Sequence, residues 1–419
     1  MPAATVSQYK FIRSLWPTKA IVEQIVKQSP ALGLMPKDTQ FGEKIRYVTV
    51  GTGGGQGLGP DFLEAKQNKT PSTAEEFQVQ TVPFYGNFSL AGDIWRKYEA
   101  TGNKGLIVDP MARESKNLLQ EAKNDISSFL HGNGGGAIGR ILSTSTLSSQ
   151  TITLDRGADK RRIRRGMTLW AATTDGTSGT VLSGYVKVAS IGGTDTAPTI
   201  TVEQASWLAG IPGLTTTSYL FRAGVFGNVL KGFDAWCPEH TGSPATFLGV
   251  TRSNDPERLA GLCLTATTTS PRQRILDASR LQADNAGAEN PVYLLSTRNW
   301  MNLMNELTSA NSLQLTKVPA APMGGIKIGV EYDAISIVGP SGNIKVLADP
   351  FAPDNVERLL DMSVWKLSST GELLHWDKGA TPDSPMLEDQ ADSREVRLVG
   401  DMATECWNPW ANVRVKVSA

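Results

Sequence analysis

Residues 41 to 132 restrict the fold of this 419-residue chain most strongly, because they predict a long hairpin followed by a long solitary helix. The outgoing strand, Glu43 to Val50, and the return strand, Glu76 to Val82, both alternate apolar with polar residues. Six of the nine residues from 51 to 59 are glycine, which leaves the loop many conformations. We therefore expect copies of the same chain to hold the hairpin in place.

The helix is predicted over residues 110 to 131. Asp109 is placed to cap it, and Pro110 suits the first helical position, where its missing N–H costs nothing. Apolar residues then recur at three- and four-residue steps until Gly132 ends the pattern. At 1.5 Å per residue the helix is about 33 Å long. We call it the spine helix, and we expect that one compact domain cannot bury its whole apolar side.

Composition excludes several classes of protein. Lysine plus arginine equals aspartate plus glutamate at 41 each, whereas a general nucleic-acid binder is usually basic. The sequence has neither an apolar run of about 18 residues nor a signal-peptide pattern, which predicts a soluble protein made in the cytoplasm. Cys237, Cys263 and Cys406 are odd in number and far apart, which favours buried thiols over disulfides.

Several spaced motifs resemble those of tailed-phage major capsid proteins. The resemblance covers the whole chain in the right order. It is carried by Ser29 to Lys37 ahead of the hairpin, Phe129 to Asn133 at the helix end, Gly249 to Gly261, Ala348 to Asn355, and Arg394 through Asn412 near the end.

This resemblance implies an α+β fold of the Hong Kong 97 type with an inserted small β-domain. The implied parts are an N-terminal arm (1–37), in which Ser29-Pro30 ends a helix, an extended loop hairpin (38–90), a peripheral domain with the spine helix (91–139), an inserted β-barrel-like domain (140–225), a mainly axial domain (226–375) and C-terminal strands that return to the peripheral domain (376–419). The short arm makes in-chain scaffolding an unfavoured interpretation. Covalent linkage of Lys66 or Lys69 to Asn408 or Asn412, known in some relatives, is also unfavoured, because such lysines are usually just solvated.

Catalytic and metal-binding patterns are weak. Residues 134 to 139 fit G-x-G-x-x-G, but they follow a helix instead of opening one, so a helix-ending turn is favoured over dinucleotide binding. Cys237 and His240 supply two metal ligands where three or four are needed. No nucleophile and base can be paired by spacing. We predict no catalytic, cofactor-binding or metal-binding residues.

The basic run from Lys160 to Arg165 has three interpretations. It could contact DNA phosphates, face an acidic neighbour, or form a solvated strand edge that discourages mispairing. The solvated edge is favoured, because nearby acidic residues and the neutral overall charge offset the run.

The predicted function is that of a shell-forming virion protein that assembles with itself and encloses the DNA genome of a tailed phage. Partners allowed by the resemblance are separate scaffolding, portal and decoration proteins, with non-specific contact to packaged DNA and no membrane. Alternatives are an encapsulin-type compartment and, from another class, a β-rich tail or carbohydrate-binding module. For Trp407 and Trp410, which bracket the Asn-Pro turn, core packing is the favoured interpretation and subunit contact is the alternative. The residues predicted to contact other subunits are Gly53, Gly54, Gly55, Phe62, Lys66, Lys69, Phe77, Trp407 and Trp410.

Overall fold

A computed structural model of the protein describes residues 29–42, 45–53, 57–92, 110–194, 196–240, 246–266, 269–309, 315–319, 331–380, 386–388 and 392–417. Within these ranges the α-helices are α1 (Pro30–Leu34), α2 (Phe62–Gln67), α3 (Pro110–Leu130), α4 (Trp207–Gly210), α5 (Phe233–Trp236), α6 (Pro256–Ala260), α7 (Pro271–Asn285) and α8 (Thr297–Ser309). None of these described helices is long and apolar enough to cross a membrane.

The strands in the same ranges, in chain order, are β1 (Lys37–Asp38), β2 (Ile45–Gly53), β3 (Thr73–Gln80), β4 (Val82–Ala91), β5 (Gly139–Arg140), β6 (Thr151–Thr153), β7 (Thr168–Ala172), β8 (Val186–Gly193), β9 (Pro198–Val202), β10 (Tyr219–Arg222), β11 (Leu262–Thr265), β12 (Pro291–Leu295), β13 (Leu315–Pro319), β14 (Glu331–Gly339), β15 (Gly342–Ala348), β16 (Val356–Asp361), β17 (Trp365–Ser369), β18 (His375–Trp376), β19 (Met386–Leu387), β20 (Ser393–Cys406) and β21 (Val413–Lys416). The predicted arm helix from Lys19 to Gln28, the capping Asp109, the loop residues Gly54 and Gly55, and a predicted strand at 326–330 lie outside the described residues.

The first sheet is organised around the 14-residue strand β20. One side of β20 pairs with β4, in register from Ser393 opposite Ala91 to Met402 opposite Val82. Its other side pairs with β17, β18 and β19. The spine helix α3 shares a core with this sheet, because Leu119 and Ile126 belong to the same buried cluster as Leu398. Alternation in the C-terminal strands predicts that Leu119 or Phe129 of the helix lies near Leu398 or Val415. Leu119 and Leu398 do share this core, but the prediction is wrong for Val415, which belongs to the core of the second sheet.

The second sheet has the order β11-β21-β16-β12-β15-β14-β13 and is packed with α7 and α8. The prediction that residues 376–419 return together to the peripheral domain is wrong for β21, which lies between β11 and β16. The chain crosses from one sheet to the other at Asn408 and Pro409. Val413, Arg414 and Val415 are all buried, as expected for a strand covered on both faces.

Residues 139 to 222 contain a separate sheet in the order β5-β10-β7-β8-β9-β6. A bridge between Ile141 and Leu154 joins its two ends, so the sheet closes into a barrel. The barrel has a hydrophobic core of its own, which includes Leu169, Val188 and Trp207. Short apolar runs between turn signals predict four strands here, at residues 150–154, 167–171, 185–189 and 199–203. They are confirmed as β6, β7, β8 and β9.

The base of the hairpin packs inside its own subunit, contrary to the sequence prediction. Val48 and Phe77 are 0% exposed, and they join the core that also contains Trp236. The backbone N–H of Gln78 donates to the carbonyl of Leu248 at 2.9 Å, which extends the hairpin into the body of the subunit. Alternation correctly predicts one apolar face on each strand, but not what covers it.

Ser29 and Pro30 begin a helix, although the sequence suggested that they end one. Ser29 Oγ accepts from the backbone N–H of Leu32 at 3.5 Å, and Pro30 occupies the first turn of α1. A serine cap followed by proline at the first helical position is a favourable helix start. All five residues of α1 are buried, so the described end of the N-terminal segment is fixed in the main core.

Candidate assembly surface

The tip of the hairpin carries a helix that exposes its apolar side. Asp61 Oδ1 accepts from the backbone N–H of Phe62 at 2.7 Å and so caps α2. Phe62 is 86% exposed, Leu63 62% and Leu58 78%. No residue of α2 is buried by the described part of the chain. Three large apolar side chains at the end of a projecting hairpin form a surface suited to binding another protein.

The glycines of the loop have two different roles. Gly53 has φ of +97° and lies where the β2–β3 register shifts, a conformation that favours glycine. Gly57 lies so close to α2 that a Cβ there would be 2.0 Å from the carbonyl oxygen of Ala65. The second half of the loop is therefore packed tightly around the tip helix.

The predicted contact residues Phe62, Lys66 and Lys69 lie together at this exposed tip. Asn412 is 0% exposed, and its Oδ1 accepts from the indole Nε1 of Trp365 at 2.8 Å. A buried, hydrogen-bonded amide in the core is not accessible to a lysine of another subunit, so covalent linkage through Asn412 has no support.

Phe77 does not belong to the exposed surface, and this prediction is corrected. Its ring centroid lies 5.1 Å from that of Trp236 and 6.2 Å from that of Phe247. Because Phe77 is fully buried by aromatic residues of its own chain, it cannot also contact a neighbour in this conformation.

Arg258 brings two other predicted residues to one place. Its guanidinium lies 4.8 Å from the Trp410 ring centroid and donates to the carbonyl of Thr52, beside Gly53. Trp410 packs, partly buried, against the core of the second sheet, so core packing is better supported for it than subunit contact. Trp407 is 39% exposed, with Lys366 Nζ 5.8 Å from its ring centroid. Sequence inspection missed Arg258, because its partners lie about 150 to 210 positions away.

A cleft of about 830 Å³ opens between the base of the hairpin, far from its tip, and the segment that leaves the barrel. Val82, Pro83 and Leu248 supply apolar lining, while Lys231 supplies a positive charge. Tyr85, at its edge, is 74% exposed. Leu248 has a φ of +48°, which is strained for a residue with a branched side chain. The cleft is large enough to receive several side chains.

A largely buried ionic network joins the end of the spine helix to α5 and to the second sheet. Arg358 donates to Asp234 Oδ1 at 2.6 Å and to the His131 carbonyl at 3.2 Å. Arg414 also donates to Asp234 Oδ1, at 3.3 Å. Burial alone would raise the pKa of Asp234, but the two guanidinium groups outweigh it and hold this pKa below its ordinary value. The network thus favours the charged form of a carboxylate that is only 25% exposed.

The same network anchors the N-terminal segment. Asp349 Oδ2 lies 3.2 Å from His131 Nε2 and accepts from Ser29 Oγ at 3.0 Å and from the backbone N–H of Ala31 at 3.3 Å. Burial opposes the charge on Asp349, yet His131 and the two backbone donors, Phe351 and Ala31, leave its pKa lowered. The sequence placed His131 in the last helical turn but gave no sign of partners more than 200 positions away.

The cysteines show no sign of activation. Burial raises the pKa of Cys237 to about 12 and also raises the pKa values of Cys263 and Cys406. Such thiols are poor nucleophiles at neutral pH. Among the described residues, no three His, Cys, Asp or Glu side chains are arranged to hold a metal ion.

The basic run is not a solvated strand edge. Residues 157–162 form a 3-10 helix, and Arg164 Nη1 lies 2.9 Å from Glu121 Oε1 on the spine helix. The favoured interpretation is therefore wrong, and the acidic neighbour is part of the same chain. Glu121 and Asp125 are four residues apart and so share one face of the spine helix. This pair of acidic residues was the signal that could have identified the partner of the basic run.

Comparison with known proteins places this arrangement among phage capsids. No protein-family model matches the sequence, and no curated protein matches it. A chain of the cyanophage A-1(L) capsid asymmetric unit aligns with a TM-score of 0.52 at 13% identity, covering 96% of this chain and 98% of that one.

Two further solved structures align less closely. The capsid of a native GTA particle gives a TM-score of 0.44 at 8% identity, covering 92% of this chain and 89% of that one. A structure of Mycobacterium phage Bobi gives a TM-score of 0.42 at 12% identity, covering 94% of this chain and 91% of that one. The assignment rests on the cyanophage chain, whose likeness extends over nearly the full length of both proteins. The predicted α+β capsid fold is confirmed: this chain has the fold of a phage capsid subunit.

Proposed function

We propose that this protein is the major capsid protein of a tailed phage, which assembles with itself into the shell that encloses the DNA genome. The observation that carries the proposal is the capsid fold over 96% of the chain. The exposed apolar tip adds independent support, because it has no cover within the described part of its own subunit. The proposed role is structural and not catalytic, and the proposed location is the virion.

The alternatives account for less of the molecule. A β-rich tail or carbohydrate-binding module would explain the barrel of residues 139 to 222, but not the hairpin, the spine helix and the two other sheets. An encapsulin-type compartment would use a similar shell geometry, but the cyanophage capsid chain aligns over 96% of this chain and 98% of its own length, which favours the phage capsid. Scaffolding, portal and decoration proteins and the packaged DNA are further partners that the proposal includes.

The tip and the cleft support a head-to-tail contact between subunits. The lining of the cleft begins at Gln78, five residues beyond the start of β3, so at about 3.4 Å per residue the strand separates the tip from the cleft by roughly 17 Å. The apolar tip therefore lies too far from the cleft of its own subunit. In our proposal it enters the cleft of the next subunit, where Lys231 faces the acidic Asp61 and Glu64 of α2. Head-to-tail contacts of this kind close into rings.

Replacing Phe62 and Leu63 by Asp together tests this contact. Both side chains are exposed, so the free energy of unfolding of the subunit should change by no more than about 0.5 kcal/mol. Two charges in an apolar contact should lower the yield of assembled particles about tenfold or more. Particle yield is measured by sedimentation and electron microscopy, and subunit stability by chemical denaturation.

Leu208→Asp is the matched control, because Leu208 is 40% exposed on the barrel, away from the tip. It should assemble normally. A normal particle yield from the Phe62 and Leu63 double variant would rule out the tip as a contact, whereas failure of the unaltered protein to assemble would overturn the function itself.

A further inference from the structure

The barrel is attached to the rest of the subunit through a narrow neck. Its two chain crossings, residues 132–138 and 223–232, lie against each other, and the N–H of Gly227 donates to the carbonyl of Gly135 at 2.9 Å. A Cβ on Gly136 would lie 2.6 Å from the carbonyl oxygen of Val225, so glycine is needed for this close approach. In the described residues the barrel core shares no member with the two other cores. A body held at one narrow point needs a second contact to fix its orientation.

That second contact is made by arginines. Arg164 pairs with Glu121, and Arg222 pairs with Asp125. Glu121 and Asp125 are four residues apart on α3 and therefore share one face of the helix. They precede Gly132 by eleven and seven residues, which places them roughly 10 to 16 Å from the neck at 1.5 Å per residue. A contact at that distance can resist rotation about the neck.

The contact is polar and not close-packed. A cavity of about 30 Å³ lies within it, enough to hold water, between α3 and the basic segment. The side chains of Arg164 and Glu121 are 42% and 41% exposed, so salt can screen their attraction. The side chains of Arg222 and Asp125 are 23% and 21% exposed, so water and salt also reach this pair. Weak, hydrated ion pairs can be released without unfolding either side.

We infer that Glu121, Asp125, Arg164 and Arg222 form an ionic clamp that sets the orientation of the barrel on the spine helix. Breaking the clamp leaves, in the described part of the chain, one exposed hydrogen bond beside the neck, from Arg161 to the carbonyl of Pro350. The barrel then turns as one body about its glycine neck, because its closed sheet and separate core keep it intact. This property belongs to the single subunit and does not depend on shell assembly.

The test uses the full-length, unassembled subunit. Trypsin can cut after Arg140, Arg222 and Lys231, which flank the neck. Glu121→Gln combined with Asp125→Asn should raise the rate of cleavage near the neck about fivefold at low salt, the size of effect expected from losing two partly exposed ion pairs. The unaltered protein should approach that rate at about 1 M salt. Hydrogen exchange in β7 and β8 should stay unchanged in both.

Two further variants test whether faster cleavage comes from loss of these particular ion pairs. Asp284→Asn removes a similar exposed ion pair, Arg280 with Asp284, far from the neck, and should leave the cleavage rate unchanged. Glu121→Arg combined with Arg164→Glu reverses one pair and should restore slow cleavage relative to either single change. If the Glu121 and Asp125 double variant is cut at the original rate at every salt concentration, the neck alone fixes the barrel. Faster exchange in β7 and β8 would show barrel unfolding instead, which also overturns the inference.

Discussion

Replacing Arg358 by Met is expected to lower the free energy of unfolding of the subunit by about 3 kcal/mol. The Arg358 side chain is 1% exposed and joins Asp234 to the carbonyl of His131 at the end of the spine helix. Without it, Asp234, whose side chain is 25% exposed, keeps only Arg414 as a charged partner, and the buried carbonyl of His131 loses a donor. An incompletely compensated charge and an unpaired buried carbonyl are both costly. Chemical denaturation of the purified, unassembled subunit measures the change.

The matched control is Arg280→Met. Arg280 also pairs with an aspartate, Asp284, at 2.8 Å, but both side chains are more than half exposed. Its loss should change stability by no more than about 0.5 kcal/mol. A second check combines Arg358→Met with Asp234→Asn: coupled residues should give a double variant that loses less than the sum of the two single losses. Strict additivity would show that the ion pair does not contribute as described.

Replacing Phe77 by Ala should cost about 3 to 5 kcal/mol, because it empties a site between Trp236 and Phe247 in the main core. Phe62→Ala, fifteen residues earlier in the same hairpin, should cost no more than about 0.5 kcal/mol, since Phe62 is 86% exposed. The two variants are compared by denaturation of the subunit. Equal and small losses would mean that the hairpin base is not packed in the core.

This contrast also shows where sequence reasoning succeeds. The bounds of α3 follow from local chemistry, namely a proline suited to the first turn, an apolar period and a terminating glycine. The barrel strands follow from alternation between turn signals. The order of spaced motifs predicted the capsid fold. The helix and strand signals are each contained in a short stretch of chain, whereas the motif order extends over the whole chain.

Contacts between distant segments were not predictable in the same way. Phe77 meets Trp236, about 160 positions away. The strand β21 enters a different sheet from β20 because it pairs with β11, about 150 positions away, and with β16, about 55 positions away. Nothing in the alternation of a strand says which surface will cover its apolar face. The tip helix α2 was missed although Asp61 followed by Glu64 is a helix-start signal, because the glycines before it favoured a loop.

The central claim is that copies of this one chain form a closed shell. Cryo-electron microscopy of the purified protein, produced in bacteria together with its neighbouring genes, tests it most directly. The account predicts closed particles built from this chain, with the apolar tip of each hairpin seated in the cleft of an adjacent copy. A protein that stays monomeric under every assembly condition would contradict the account.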